Sequence, residues 1–261
     1  MTVIISYIVF LLAGFATGIV TGLIGASAIV VFVPIILLFL NYSLFALVGV
    51  SLAVDVFVSL FALISYKKFK HIDFKTGFYL AVPAILGSVL GSILSKFIPN
   101  TNFLGITSLV TAFTGIMLYR RKVKIKETQT MKDYSKTKLI LSIVLSFFVG
   151  LLGGGLGSAG GVTIFLLLIF FLNFETHRAI GTSLFVMFFI ALAGAISHVD
   201  RVTSMGFHWI LLVFAVIGGL LGAFHSAKIA NLIKEKNLNK LVGIILFGLG
   251  ILTFLYRVLA D

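Results

Sequence analysis

Gly150-Leu151-Leu152-Gly153-Gly154-Gly155-Leu156-Gly157-Ser158-Ala159-Gly160-Gly161 places seven glycines in twelve residues, inside a run of Leu, Val, Ile and Phe. Each glycine costs a helix about 1 kcal/mol relative to alanine, so unbroken helix across Gly153 to Gly161 is not expected. Backbone opened there cannot face lipid, because its bare N–H and C=O groups are too costly in hydrocarbon; it must line a cavity or be buried in protein. A fainter copy of the stretch lies 132 positions earlier. Gly18, Gly22 and Gly25 match Gly150, Gly154 and Gly157, and Phe39, Leu40 and Asn41 match Phe171, Leu172 and Asn173. The same offset, without a gap, pairs Gly49, Ser51 and Leu52 with Gly181, Ser183 and Leu184. One unit has been duplicated, the sequence mark of a two-repeat transporter.

The 261 residues are 60% hydrophobic and 11% charged, with a mean hydropathy of +1.21, far too apolar for a soluble domain. Runs long enough to cross about 30 Å of hydrocarbon recur along the whole length. Alternation at period two is absent and run lengths fit helices, so the fold class is an all-α polytopic integral membrane protein rather than a barrel. The first basic residue is Lys67, so the positive start of a cleaved signal peptide is missing and Met1 to Ile24 is expected to remain as a membrane segment. Without cysteine there is no disulfide framework or thiolate metal site.

The apolar segments of the first half are Val3 to Ile24, Ala26 to Leu40, Phe45 to Tyr66, Gly77 to Phe97 and Phe103 to Tyr119. Those of the second are Leu139 to Leu156, Ser158 to Leu172, Ala179 to His198, His208 to Ala227 and Leu241 to Leu255. The chain thus divides into a first membrane repeat, 1–122, a basic cytoplasmic linker, 123–138, and a second membrane repeat, 139–261. Sixteen of the twenty Lys and Arg fall in three clusters, Lys67 to Lys75, Arg120 to Lys138 and Lys228 to Lys240. Basic residues beside spans report cytoplasmic loops and contact with anionic lipid, so the net charge of +12 argues for a bilayer and against nucleic acid as partner.

The loops between equivalent segments carry opposite bias. Basic Lys67 to Lys75 corresponds to Val199 to Phe207, with one Asp and one Arg, whereas the uncharged tip Pro99 to Asn102 corresponds to basic Lys228 to Lys240. A unit whose basic loop moves to the other connection is inserted upside down, so the reading is an inverted-topology repeat with both termini outside. Ala26 to Leu40 and Ser158 to Leu172 are 15 residues each, about 22 Å of helix, short of a full span. Each repeat then opens with a glycine-tipped hairpin that dips into the membrane, followed by three spans; five short crossings keep the same parity. The two tips are expected to approach each other near the bilayer midplane.

Free N–H groups and the positive helix end make an anion site without a basic side chain, and Ser27 and Ser158 add hydroxyl donors. Two such tips from opposite sides would hold a small oxyanion between them. The alternative is that the glycines serve close helix packing, the expected role of Gly87, Gly91, Gly218 and Gly222. Asp55 is the one acid well inside an apolar span, and Ser51, Asp55 and Ser59 lie at i, i+4 and i+8 on one helical face. An intramembrane carboxylate is a functional residue by default, so Asp55 is assigned proton or cation coupling. The competing reading is a neutral Asp bonded to a neighbouring helix. Met187 stands at its equivalent in the second repeat. His198, His208 and His225 read as interfacial or packing residues, and Arg178, at the mouth of the second hairpin, as a charge in solvent or facing lipid headgroups, with attraction of anions as the alternative.

The segments Gly22-Leu23-Ile24-Gly25-Ala26-Ser27-Ala28, Val33-Pro34-Ile35-Ile36 and Gly49-Val50-Ser51-Leu52, repeated as Gly150 to Gly161 and Ala179-Ile180-Gly181-Thr182-Ser183-Leu184, resemble the TauE/SafE sulfite-exporter family of membrane permeases over nearly the whole chain. The resemblance implies transport of sulfite, sulfonates or related small anions. It implies a passage built from the glycine tips and the Gly-Thr-Ser segments: Gly22, Gly25, Ala26, Ser27 and Ser51 in the first repeat, Gly154, Gly157, Ser158, Gly160, Thr182 and Ser183 in the second. The chain departs from the family pattern at Ala26, Ala28, Val50 and Leu166, which bears on the substrate rather than the fold.

No nucleophile and base pair, metal-ligand spacing or P-loop lysine occurs in the sequence, so neither enzyme chemistry nor a cofactor is expected. The reading is a plasma-membrane permease for small sulfur-containing anions, working by alternating access between the repeats, with room for a homodimer. An anion channel and a non-transporting membrane scaffold remain as alternatives.

Overall fold

The computed structural model describes residues 2–40, 42–95, 112–113, 115–120, 135–157 and 160–260. The first repeat consists of α1 (Thr2–Ile24), a 3-10 turn (Ala28–Val30) leading into α2 (Phe32–Phe39), then α3 (Leu44–Lys68) and α4 (Phe74–Leu94). The second consists of α5 (Lys136–Leu156), α6 (Gly161–Leu166) continued by a π-helical turn (Leu167–Phe171), α7 (Thr176–Ser204), α8 (Trp209–Leu232) and α9 (Glu235–Ala260). No strand occurs among the described residues. Among the described residues, six helices are long and apolar enough to cross a membrane, with two short apolar helices at 28–39 and 161–171 between them. This is an all-α, multi-pass membrane protein.

The short segments end where their sequences stop supporting a helix. α1 terminates at Gly25, whose φ of 71° is left-handed, and α5 at Gly157, φ 74°, its equivalent at the 132-residue offset. The expected break across Gly153 to Gly161 is narrower than composition suggests. Gly153, Gly154 and Gly155 stay helical, because α4 lies so close that a Cβ on Gly154 would overlap Ser88 and one on Gly155 would press on Gly91. Tertiary contact here outweighs glycine's weak helix propensity. The fifth segment, Phe103 to Tyr119, the tip Pro99 to Asn102 and most of the linker lie outside the described residues.

Two further expectations change. Val199 to Phe207 is not a loop: α7 runs on to Ser204, leaving four residues before α8. His198 is not interfacial but buried in α7, its ring Nδ1 bonding the Gly194 carbonyl (3.0 Å), because Gly49 leaves the space in which His198 and Val202 pack.

Glycine seams join the repeats crosswise. α1 lies against α8 with both running the same way, as Gly14, Gly18 and Gly22 meet Ala215, Gly219 and Ser226 in order. α4 and α5 repeat the arrangement: Gly150 meets Ala84, Gly154 meets Ser88, and Gly87 and Gly91 meet Phe147 and Leu151. Hydroxyls reinforce that seam, Ser146 donating to the Leu80 carbonyl (2.5 Å) and Ser92 to that of Gly154 (3.1 Å). In lipid there is no hydrophobic force between helices, so small residues that let backbones approach supply the attraction. The equivalent helices α3 and α7 pack side by side in opposite directions, with Gly49 against His198 and Val202 while Leu52 meets Gly194.

Candidate functional site

The two breaks in the helices meet in the interior. The Gly25 carbonyl lies against Gly161, where no side chain would fit, and the Ser27 hydroxyl lies 3.4 Å from the Gly157 carbonyl. Gly25, Ala26, Ser27 and Ala28 are all buried, as are Gly157, Gly160 and Gly161. The opened backbone is therefore enclosed by protein, as a break in a membrane helix requires.

Each break is held by its own chemistry. In the first, the Thr21 hydroxyl donates to the Ala26 carbonyl (2.7 Å) and the fully buried Tyr66 donates to the Gly22 carbonyl (3.1 Å). Asp55, fully buried at the middle of α3, holds the rest: Oδ1 accepts from the Ala28 N–H (2.7 Å) and Oδ2 accepts from the Ser27 hydroxyl. No ion pair to Asp55 occurs among the described residues. The stripe of Ser51, Asp55 and Ser59 is wholly buried, as its helical spacing requires, with the Ser51 and Ser59 hydroxyls turned back to the Val48 and Val56 carbonyls.

In the second break, left-handed glycines carry the turn, and the Gly157 carbonyl accepts from the Ser27 hydroxyl of the first. Gly157 and Gly160 both have positive φ, and Gly160 packs on Val149 and Ile190. Met187, at the offset position of Asp55, presents its sulfur to Gly161. Ser158 lies outside the described residues.

The residues singled out in the sequence thus separate into groups. Gly25, Ser27, Asp55, Gly157 and Ser183 converge, the last with its hydroxyl beside Gly25 and donating to the Ile180 carbonyl (2.9 Å). Gly22 and Gly154 lie in the helix seams, against Ser226 and Ser88. Thr182 sits elsewhere, accepting from the Asp73 N–H (3.0 Å). Sequence reasoning passed over Ala28, whose backbone donates to Asp55, and Tyr66 and Thr21, which brace the first break. Asp55 and Ala28 are 27 positions apart on different elements, and no local pattern links them.

A polar cluster closes one end of the repeat interface. Asp73 caps α4 by accepting from the Thr76 N–H (3.0 Å) and pairs with Arg178 at 2.5 Å, so Arg178 is an ion-pair residue rather than a lipid-facing charge. Its guanidinium also lies over the Phe174 ring. His71 bonds Asn231 (2.5 Å) and stacks near His177, which bonds the Ile233 carbonyl (2.9 Å). The offset equivalents of Asp73 and Arg178 are Met205 and Ala46, so the ion pair has no counterpart at those positions.

Comparison with known proteins agrees with this architecture. The family model for the sulfite exporter TauE/SafE matches residues 10–253. The chain is 28% identical over 228 residues to the probable membrane transporter protein YdhB of Bacillus subtilis (strain 168), covering 86% of this chain and 91% of that one. It is 26% identical over 266 residues to the probable membrane transporter protein YunE of the same organism, covering 94% and 96%. A probable membrane transporter protein of Xylella fastidiosa (strain Temecula1 / ATCC 700964) is 24% identical over 252 residues, with 94% of each covered. No solved structure gives a significant match. With its membrane helices, paired breaks and whole-length match, the chain belongs to the sulfite exporter TauE/SafE family of membrane transporters.

Proposed function

We propose that this protein is a plasma-membrane secondary transporter for small sulfur-containing anions, such as sulfite or organosulfonates, working by alternating access around the meeting point of the two breaks. The observation that carries this reading is the convergence of Ser27, Asp55 and Gly157, a polar point buried at the junction of two repeats. Discontinuous membrane helices meeting at a repeat interface are where transporters of this kind bind their substrates. The opposed directions of α3 and α7 support an inverted relation between the repeats, and the family's description supports the substrate class. Gly25, Ser27, Gly157, Ser158 and Ser183 are the residues we assign to the passage, and Asp55 to proton or cation coupling.

Membrane voltage distinguishes the two directions of transport. With the cytoplasm negative, each anionic charge leaving gains about 2.3 kcal/mol per 100 mV, so efflux needs no coupling and uptake does. The test is flux into and out of liposomes for sulfite, thiosulfate, sulfoacetate, taurine and sulfate, with Ser27→Leu in parallel. Saturable flux and counterflow of at least one sulfur anion, lost in Ser27→Leu, is the expected result. Unchanged flux in that variant removes the meeting point from the mechanism, and conduction without counterflow replaces the carrier by a channel. If Asp55 couples protons, Asp55→Asn abolishes the pH dependence of uptake.

A further inference from the structure

The first break contains the elements of an oxyanion site, and a side chain of the protein already occupies it. Ala28 supplies the first N–H of the 3-10 turn and Ser27 a hydroxyl, and each donates to a different oxygen of the Asp55 carboxylate. Two oxygens on one centre, bridging an N–H and an O–H, is the footprint that sulfite, a sulfonate or a carboxylate would also present. Asp55 is fully buried, and no cation is paired with it among the described residues. A second anion could not reach the same donors while the Asp55 side chain is seated on them, since both are already engaged. Among the described residues no acid occupies the second break, where Met187 stands at the offset position of Asp55 with its sulfur against Gly161.

We infer that the Asp55 carboxylate is a tethered substitute for the substrate, holding the Ser27 and Ala28 donors until a small oxyanion takes them over. The inference rests on the reading of the meeting point as the transport site. Asp55 then determines which ligands enter. It excludes anions while it is charged and seated, and binding of an oxyanion and seating of Asp55 on Ser27 and Ala28 are mutually exclusive.

Sulfite titrated calorimetrically into the purified full chain in lipid nanodiscs tests this, using wild type, Asp55→Asn and Asp55→Ala, each checked for intact helical circular dichroism. Asn keeps one acceptor oxygen, enough for only one of the Ser27 and Ala28 donors, and carries no charge, and Ala vacates both donors. Sulfite affinity is expected to rise at least tenfold in both variants, and Ser27→Ala added to Asp55→Asn should remove most of the gain. A gain that Ser27→Ala removes is the diagnostic readout, because a carboxylate that only repelled anions from a distance would give the same gain whether or not the Ser27 donor is present. Wild type that binds sulfite while both variants bind it equally or more weakly overturns the inference and leaves the proposed function standing. Absence of sulfite binding in all the proteins, together with absence of flux for the whole anion panel, overturns both.

Discussion

The two helix breaks lie in matching stretches of sequence 132 positions apart, yet they are stabilised by different means. The first has a single positive-φ glycine, Gly25, and is braced by Thr21, Tyr66 and the Asp55 bonds to Ser27 and Ala28. The second has two, Gly157 and Gly160, with Met187 in place of the acid. The difference teaches that glycine content is a poor measure of where a membrane helix opens. Side-chain hydroxyls and a carboxylate can satisfy an opened backbone, and where they do, positions such as Ala26 and Ala28 no longer need to be glycine.

Substitutions can break or sharpen that contrast. The largest effect is expected at Gly161, where any Cβ would overlap the Gly25 carbonyl and meet the Met187 sulfur. Gly161→Val should push the two breaks apart and leave no monodisperse protein after size-exclusion chromatography, whereas a normal profile would show that the breaks are not in obligatory contact. Next come the paired glycines. Alanine at positive φ costs about 1–2 kcal/mol at either site, but at Gly157 its methyl would also meet the branched Val48 at 2.7 Å, and at Gly25 only the Ser183 hydroxyl at 3.0 Å. Gly157→Ala should therefore lower the thermal unfolding midpoint more than Gly25→Ala does, and the reverse order would refute the packing account. The smallest effect is at the brace. Tyr66→Phe removes one hydrogen bond to the Gly22 carbonyl and should cost about 1 kcal/mol in chemical unfolding, with no equivalent loss available in the second break, where His198 occupies the offset position.

Much of this was legible in the sequence because it depends on local chemistry and on the offset. The six candidate spans, the two short helices, the presence of a break in the second glycine stretch and the burial of the Ser51, Asp55 and Ser59 face all follow from apolar runs, glycine and helical spacing. What could not be read depends on partners distant in the chain. Gly153 to Gly155 remain helical only because α4 presents Ser88 and Gly91 to them. The end of α7 continues beyond His198 because Gly49 makes room for that face. The partners of Asp55 and of Arg178 likewise lie on other elements, 27 and 105 positions away.

The crosswise seams also bear on how the protein is made. α1 leaves the ribosome well before its seam partner α8, which is not complete until residue 232 has been added. At about 5–20 residues per second, that interval lasts ~10–40 s. Throughout it the notched face of Gly14, Gly18 and Gly22 must wait in the bilayer against lipid or a temporary companion. A nascent chain halted before α8 carries that notch unfilled, so the seat of α1 is completed only by a helix made late in the chain.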